Sequence, residues 1–171
     1  MGPVARALGM RCRPASGFTL VEILVVLVIL AIGTGLAVVS LTTDPQAVVR
    51  REGQRFAGAL EYAAARAQIR AETLGVDAAG PAIRFWRRDP DTNTWRPVND
   101  DDALATRTLP EPLEALPQTY AGRTLAPHTL VPLRPSGRNE PATFVIASGA
   151  ARVIVALDPL DRVSVTLPPA P

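Results

Sequence analysis

The feature that most constrains this chain is the apolar stretch at residues 18–41, in which Glu22 is the only charged residue. A helix of this length spans roughly 36 Å, which is enough to cross a hydrocarbon core of about 30 Å. Leucine, isoleucine, valine and alanine dominate the stretch, and it contains no proline. The sequence therefore predicts one membrane-spanning helix near the N-terminus, and the carboxylate of Glu22 inside it needs a partner or a function.

The residues before this stretch set its orientation. Arg6, Arg11 and Arg13 precede it, and no acidic residue does. By the positive-inside rule, this end stays in the cytoplasm and the rest of the chain is exported. A secretory signal is the alternative, but it needs an apolar run of about 7 to 15 residues followed by small residues. Here the run is longer, and the small residues at 15–17 come before it.

The sequence GFTLVE at residues 17–22, ahead of a long apolar run, resembles the type IV prepilin signature shared by type IV pilins and type II secretion pseudopilins. The resemblance implies cleavage between Gly17 and Phe18 by a prepilin peptidase, and N-methylation of Phe18. It also implies that Glu22 accepts the charged amine of Phe18 from a neighbouring subunit during filament assembly. A carboxylate and an ammonium are each costly in lipid but tolerable as a pair. A carboxylate that snorkels to the headgroups is the alternative for Glu22.

Charge and cysteine content narrow the possible functions. Cleavage after Gly17 would leave 15 arginines against 16 acidic residues, a net charge of −1, which does not favour a nucleic-acid binder. The single cysteine, Cys12, lies in the leader, so the exported chain would have no disulfide and no thiol chemistry. This composition is compatible with an oxidising periplasm.

The length of 171 residues allows one modest domain besides the span. We divide the chain into four segments. They are a cleaved leader at 1–17, a transmembrane helix at 18–41, the periplasmic part of one long, kinked helix at 42–74, and a periplasmic β domain at 75–171.

The segment 46–74 continues a helical pattern, which Thr43 or Asp44 can cap and whose first turn suits Pro45. An alanine-rich stripe runs along it at spacings of three, four or seven residues, and this predicts packing against a sheet of the same subunit. The stripe consists of Val49, Gly53, Phe56, Leu60, Ala63, Ala67 and Leu74. The charged residues, including Arg66, are expected mostly on other faces.

After the helix breakers Gly75, Gly80 and Pro81, apolar and polar residues alternate as they do in antiparallel strands. We predict a hairpin of 83–87 with 94–98, then a proline-rich, loop-dominated region at 103–135 with a short strand near 129–133. Three final strands are predicted at 142–147, 152–157 and 163–167. A helix followed by an antiparallel β domain predicts the α+β class. The expected fold is pilin-like, with a long N-terminal helix, membrane-spanning in its first half, packed on the β domain.

Three stretches of the β domain resemble the H-type minor pseudopilins, also called general secretion pathway protein H. They are the hairpin with Phe85, Trp86 and Trp95, the sequence LRPSG at 133–137, and the sequence DPLDRV at 158–163. Family members often have glycine before the final Arg-Val, where this chain has Asp161. The major pseudopilin is generally shorter and has a calcium-binding loop near its end, for which Asp158 and Asp161 supply few ligands.

The sequence offers only weak candidates for a metal-binding or hydrolytic site. Asp89, Asp91 and Asn93 have the spacing of a calcium loop, but a proline between them and no glycine at the sixth position indicate a hairpin tip. His128 is the only histidine, so a zinc site has no ligand set. Ser136 with His128 lacks the sequence of a nucleophile elbow.

An arginine cluster beside Trp86 consists of Arg84, Arg87 and Arg88. Such a cluster is either a phosphate or nucleic-acid patch or, more often, a solvated strand face with a stacked arginine.

We therefore interpret the chain as a minor pseudopilin, a structural subunit at or near the tip of the type II secretion pseudopilus, with no enzymatic activity and no cofactor or metal. The expected partners are other minor and major pseudopilins, prepilin peptidase, the inner-membrane assembly platform and inner-membrane lipid. The expected location is the inner membrane, single-pass, with a cytoplasmic N-terminus and a periplasmic C-terminal domain. The alternative is a minor type IV pilin that binds DNA, to which Arg152 and Arg162 could contribute and which salt would weaken steeply.

Overall fold

The computed structural model describes residues 20–41 and 44–168. The chain divides into two compact units, Met1–Thr42 and Thr43–Pro171. The first unit contains helix α1, Leu20–Leu41. The expectation that α1 continues as one long, kinked helix concerns the link at residues 42–43, which lies outside the described residues.

Helix α2, Pro45–Arg70, opens the second unit. Asp44 caps it, because its Oδ1 accepts a hydrogen bond from the Gln46 backbone N–H at 2.9 Å, and Pro45 stands in the first turn as predicted. The helix ends because Ala71 adopts the left-handed conformation, with φ of 51°. The predicted end at Leu74 is wrong: Leu74 begins the first strand.

Ten strands follow α2 within the described residues. They are β1 (Leu74–Ala79), β2 (Ala82–Arg88), β3 (Trp95–Pro97), β4 (Arg107–Thr108), β5 (Glu114–Tyr120), β6 (Arg123–Thr124), β7 (Val131–Leu133), β8 (Ala142–Ser148), β9 (Ala151–Leu157) and β10 (Val163–Thr166). A short 3-10 helix covers Asp102–Leu104. The first sheet has the order β3-β2-β1-β7, with β4 also pairing with β2, and the second has the order β10-β9-β8-β5-β6. Every named pair of strands is antiparallel.

The predicted hairpin is confirmed as β2 with β3, and the three final strands are confirmed as β8, β9 and β10. Strands β1, β4, β5 and β6 were not predicted. Strand β1 is buried along its whole length, so it lacks the polar alternation that marks a half-exposed strand. Strand β5 lies in the proline-rich region, and its pairing with β8 shifts register between Pro117 and Thr119.

The core of this unit lies between α2 and the sheets. The rings of Phe56 and Phe144 meet edge to face, with centroids 5.2 Å apart. The predicted stripe from Val49 to Ala67 is buried, so its packing on a sheet is confirmed. One expectation is wrong: Arg66 is only 3 % exposed and lies on the inward side of the helix. The unit is α+β, as the element order predicted.

Candidate functional site

Helix α1 carries the first group of predicted functional residues. Glu22 lies in its first turn and is exposed. The large apolar side chains between Leu20 and Leu30 are also exposed, from 45 % at Val26 to 81 % at Leu20. Such a surface needs lipid or apolar protein around it, since water is an unfavourable environment for it. Gly17 and Phe18, predicted to flank the cleavage site, lie outside the described residues.

Across the described residues, the structure contains no helix that is both long enough and apolar enough to span a membrane. The transmembrane assignment of 18–41 therefore stays a prediction.

A second group of residues surrounds Arg66 on α2. Its Nε lies 2.7 Å from Oε1 of Glu72, its Nη1 lies 2.7 Å from Oδ2 of Asp101, and its Nη2 lies 3.1 Å from Oδ2 of Asp100. Tyr62 donates a hydrogen bond to the same Asp101 oxygen at 2.8 Å. These contacts attach the segment before the 3-10 helix to α2 and to the start of β1.

The ionisation of this cluster follows from its geometry. Burial lowers the pKa of Arg66, but hydrogen bonds to Glu72 and to the two aspartates raise it by a larger amount. The net pKa is raised, so the guanidinium stays charged. The hydrogen bond from Tyr62 lowers the pKa of Asp101, and the hydrogen bond from Arg66 lowers that of Asp100. The cluster therefore holds a buried cation against two aspartates, Asp100 and Asp101, that remain ionised at neutral pH.

A third group joins the two C-terminal sequence stretches singled out above. The Asn139 side chain accepts a hydrogen bond from the Arg134 backbone N–H at 2.6 Å and donates one to Oδ1 of Asp161 at 2.6 Å. Gln68 of α2 donates to Oδ2 of Asp161 at 2.7 Å. Asp161 itself has a φ of 60°, in the left-handed region that glycine adopts without strain. Its hydrogen bonds therefore support this conformation in place of the glycine that the resemblance led us to expect here.

The turn before Asp161 is closed by Asp158. Its carboxylate accepts hydrogen bonds from the backbone N–H groups of Leu160 and Arg162, at 2.8 and 2.9 Å. The Arg162 side chain adds a contact at 2.8 Å. The Arg162 backbone bond contributes most to lowering the pKa of Asp158. The Asp158 carboxylate thus closes its own turn. Arg162, a candidate DNA-binding residue, is paired with this carboxylate.

The hairpin tip at residues 89–93 is also closed by an aspartate that accepts backbone hydrogen bonds. Asp89 accepts hydrogen bonds from the backbone N–H groups of Asp91 and Thr92, at 3.0 and 3.1 Å, and pairs with Arg96 at 3.1 Å. The backbone bond from Thr92 contributes most to lowering the pKa of Asp89. This is the turn that the sequence predicted over 89–93. In the part of the chain that the structure describes, no group of three or more acidic, histidine or cysteine side chains is arranged to hold a metal ion.

The arginine cluster on β2 is largely paired. Arg87 lies 3.2 Å from Asp100, and Arg84 lies 3.9 Å from Asp77. Arg88 stacks at 5.9 Å from the ring of Trp95, rather than on Trp86. These contacts fit a strand face that also carries a cation–π pair.

The residues weighed for hydrolytic chemistry lie in exposed loops. His128 has a φ of 62°, and the Ser136 hydroxyl donates to the Arg138 carbonyl of its own loop at 3.4 Å. No contact between His128 and Ser136 is found among the described residues.

Sequence reasoning missed Arg66, Gln68 and Asn139. A signal for Arg66 existed, because it directly precedes Ala67 of the apolar stripe and follows Ala63 by three residues. Gln68 and Asn139 act through partners 93 and 22 residues away along the chain. No local pattern indicates such contacts.

Two family profiles match the chain. The prokaryotic N-terminal methylation motif matches residues 12–38, and type II transport protein GspH matches residues 52–160. The second match alone covers more than half of the chain. A comparison with curated proteins found no match.

Solved structures show the same fold. A structure of the minor pseudopilin EpsH from the type 2 secretion system of Vibrio cholerae has 17 % identity and a TM-score of 0.59, over 72 % of this chain and 99 % of that chain. A crystal structure of EpsH has 16 % identity and a TM-score of 0.61, over 74 % and 100 %. The solution structure of Escherichia coli GspH has 18 % identity and a TM-score of 0.53, over 74 % and 94 %.

Proposed function

The chain belongs to the type II transport protein GspH family, the minor pseudopilins of type II secretion systems, and we propose that it serves at or near the tip of the pseudopilus. There it supports export of folded proteins across the outer membrane. The observation that carries this proposal is the family match over 52–160 together with the methylation motif over 12–38. The alternative, a DNA-binding minor type IV pilin, is not favoured by these matches.

The role we propose is purely structural. The side chains examined as possible catalytic or metal-binding groups are engaged in turns: Asp89 and Asp158 bind backbone N–H groups, and Ser136 binds a loop carbonyl. Other pseudopilins are the family's assembly partners. Contacts with the inner-membrane assembly platform and with inner-membrane lipid are part of our proposal.

We further propose that residues 18–41 anchor the chain in the inner membrane, with residues 1–17 on the cytoplasmic side and the β domain in the periplasm. Prepilin peptidase would cut between Gly17 and Phe18, and Phe18 would be N-methylated. Mass spectrometry of the membrane form tests this directly. We expect the chain to begin at a methylated Phe18, and we expect Gly17→Trp to block the cleavage. A full-length chain in cells with an active peptidase would contradict the proposal.

The secretory role is tested by deleting the gene and measuring exported enzymes in the medium. We expect secretion to be lost and to return when the wild-type chain is supplied. A matched complementing variant, Gly58→Ala, changes an exposed helix position with open space around it, so it should restore secretion as well. Normal secretion in the deletion strain, combined with loss of surface pili, would favour the type IV pilin alternative.

A further inference from the structure

We propose that the first half of α2 and the strand ends beside it form a binding surface for anionic phospholipid headgroups. This basic surface consists of Arg50, Arg51, Arg55, Arg107 and Arg152. The choice of lipid as the ligand rests on the membrane anchoring in the proposed function, whereas the surface itself rests on the contacts of the second unit.

The five arginines are linked through neighbouring contacts. Arg55 and Arg107 share one carboxylate, Glu52: Nη1 of Arg55 lies 2.7 Å from Oε1, and Nη2 of Arg107 lies 2.7 Å from Oε2. Arg51 stands one helical turn before Arg55, so the two side chains are neighbours on the helix surface.

Arg152 joins the surface from the other side of the helix. Its carbonyl accepts a hydrogen bond from Nε2 of Gln46 at 3.2 Å, and Gln46 lies one turn before Arg50. The basic surface therefore extends from β4, across the exposed side of α2, to the start of β9.

Positive charge exceeds negative charge on this surface. Its carboxylates are Glu52, which is 3 % exposed and already paired twice, Asp44, which caps the helix, and Asp102, which lines the same cavity as Arg55 and Arg107. Three carboxylates against five arginines leave an excess of two positive charges. Within the described residues, Arg50, Arg51 and Arg152 have no ion pair.

Placing these arginines together lowers the stability of the fold, and no ion pair within the described residues compensates at Arg50, Arg51 and Arg152. Like charges one turn apart on a helix, such as Arg51 and Arg55, destabilise it. Arg66, Arg87 and Arg96 of the same unit are matched to carboxylates. Described arginines without an ion pair outside this surface, such as Arg123 and Arg138, lie in a strand or a loop and not on a helix. The fold does not need this repulsion between like charges, so it points to an external ligand. An anion is the ligand that would neutralise the arginines.

The position along the chain makes that anion a lipid phosphate. Eight residues lie between Leu41, the end of the predicted span, and Arg50. Basic side chains this close along the chain to a membrane anchor are attracted to anionic headgroups.

The test is cosedimentation of the exported unit, residues 44–171, with sucrose-loaded vesicles at low and at physiological salt. This unit has its own core, and the solved EpsH chains correspond to 72–74 % of this sequence, so it is suited to study without the span. We expect binding to vesicles with 40 % phosphatidylglycerol that weakens with salt, and none to pure phosphatidylcholine, since screening acts on exposed charges. Arg50→Ser/Arg51→Ser should weaken the partition on the order of tenfold.

The matched control is Arg123→Ser/Arg138→Ser, which removes two exposed arginines elsewhere and changes the net charge equally. It should bind nearly as well as the wild type. No binding to anionic vesicles at low salt would overturn the inference, as would an equal loss in both double variants. It would also be overturned if the surface bound a DNA duplex in preference to the vesicles. Since secretion by the complemented strain does not depend on this assay, this inference can fail while the proposed function stands.

Discussion

Asn139 donates a hydrogen bond from Nδ2 to Oδ1 of Asp161 at 2.6 Å, and this bond holds an aspartate in a left-handed backbone conformation. Asn139 is only 4 % exposed, so its amide needs these partners. The same contact brings the loop after β7 and the turn before β10 together against α2. The sequence stretches 133–137 and 158–163, which carry the resemblance separately, are therefore joined in the fold through Asn139.

Replacing Asp161 tests the two contributions separately. Asp161→Ala removes both side-chain hydrogen bonds and places a Cβ-bearing residue at a positive φ with no local support. We expect a loss of about 2–3 kcal/mol in the free energy of unfolding, measured by urea denaturation of the exported unit. Asp161→Gly loses the hydrogen bonds but relieves the strain, and should cost less. Equal losses for the two variants would contradict a role for backbone strain.

Removing the buried cation should be costly. Arg66→Met leaves Asp101 without a cation among the described residues, and leaves Glu72 and Asp100 with only the partly exposed Arg87 and Arg70 nearby. We expect a loss of about 3 kcal/mol in unfolding free energy. The matched control is Arg70→Met. Arg70 is half exposed and lies 3.8 Å from Asp100, so the change should stay within about 0.5 kcal/mol. A similar loss in both variants would show that burial of Arg66 is not what matters.

The same cluster predicts how stability varies with pH. Folding lowers the pKa of Asp100 and Asp101, so their contribution is present above the aspartate pKa of about 3.9 in the unfolded chain. It is lost as the pH falls through the lower values of the folded state. Urea midpoints should thus be flat from pH 7 to about pH 5 and should fall below about pH 4. Asp101→Asn should reduce that acid-dependent fall, and an unchanged pH profile would contradict the assignment.

Two glycines of α2 should respond in opposite directions. A Cβ at Gly53 would lie 2.7 Å from Cγ1 of Val153, whereas a Cβ at Gly58 would meet nothing within 4 Å. Gly53→Ala should therefore lower stability by about 1–3 kcal/mol through overpacking. Gly58→Ala should raise it by about 0.5–1 kcal/mol, because alanine favours the helix. Thermal unfolding of the two variants measures both effects, and a gain at Gly53 would show that β9 can move away.

Glu22 is the residue on which the proposed assembly step depends. Glu22→Val should leave membrane insertion intact, because it removes the only charge in the stretch 18–41. It should impair incorporation into the pseudopilus, since the amine of Phe18 would lose its carboxylate partner. Membrane fractionation measures insertion, and crosslinking to other pseudopilins together with secretion measures assembly. Secretion at the wild-type level in this variant would refute the pairing.

Local patterns predicted the parts of the fold that depend on neighbouring residues. The Asp44-Pro45 start of α2, the hairpin of β2 and β3, and the alternating strands β8 to β10 all follow from spacing and turn residues. The end of α2 was misplaced because Ala71, rather than a glycine, adopts the left-handed conformation there. Strand β1 was missed because both of its faces are covered.

The sequence by itself determined the family and the candidate residues Gly17, Phe18 and Glu22, because motifs of adjacent residues carry them. It also determined the α+β class, through the order of its predicted elements. Only the tertiary structure decided that Arg66 is buried among three acidic residues and that Gln68 reaches Asp161. The physical reason is distance along the chain. Charge pairs and amide contacts between residues 35 to 93 positions apart leave no periodic pattern in the sequence, and they form only when a helix and its sheets share one core.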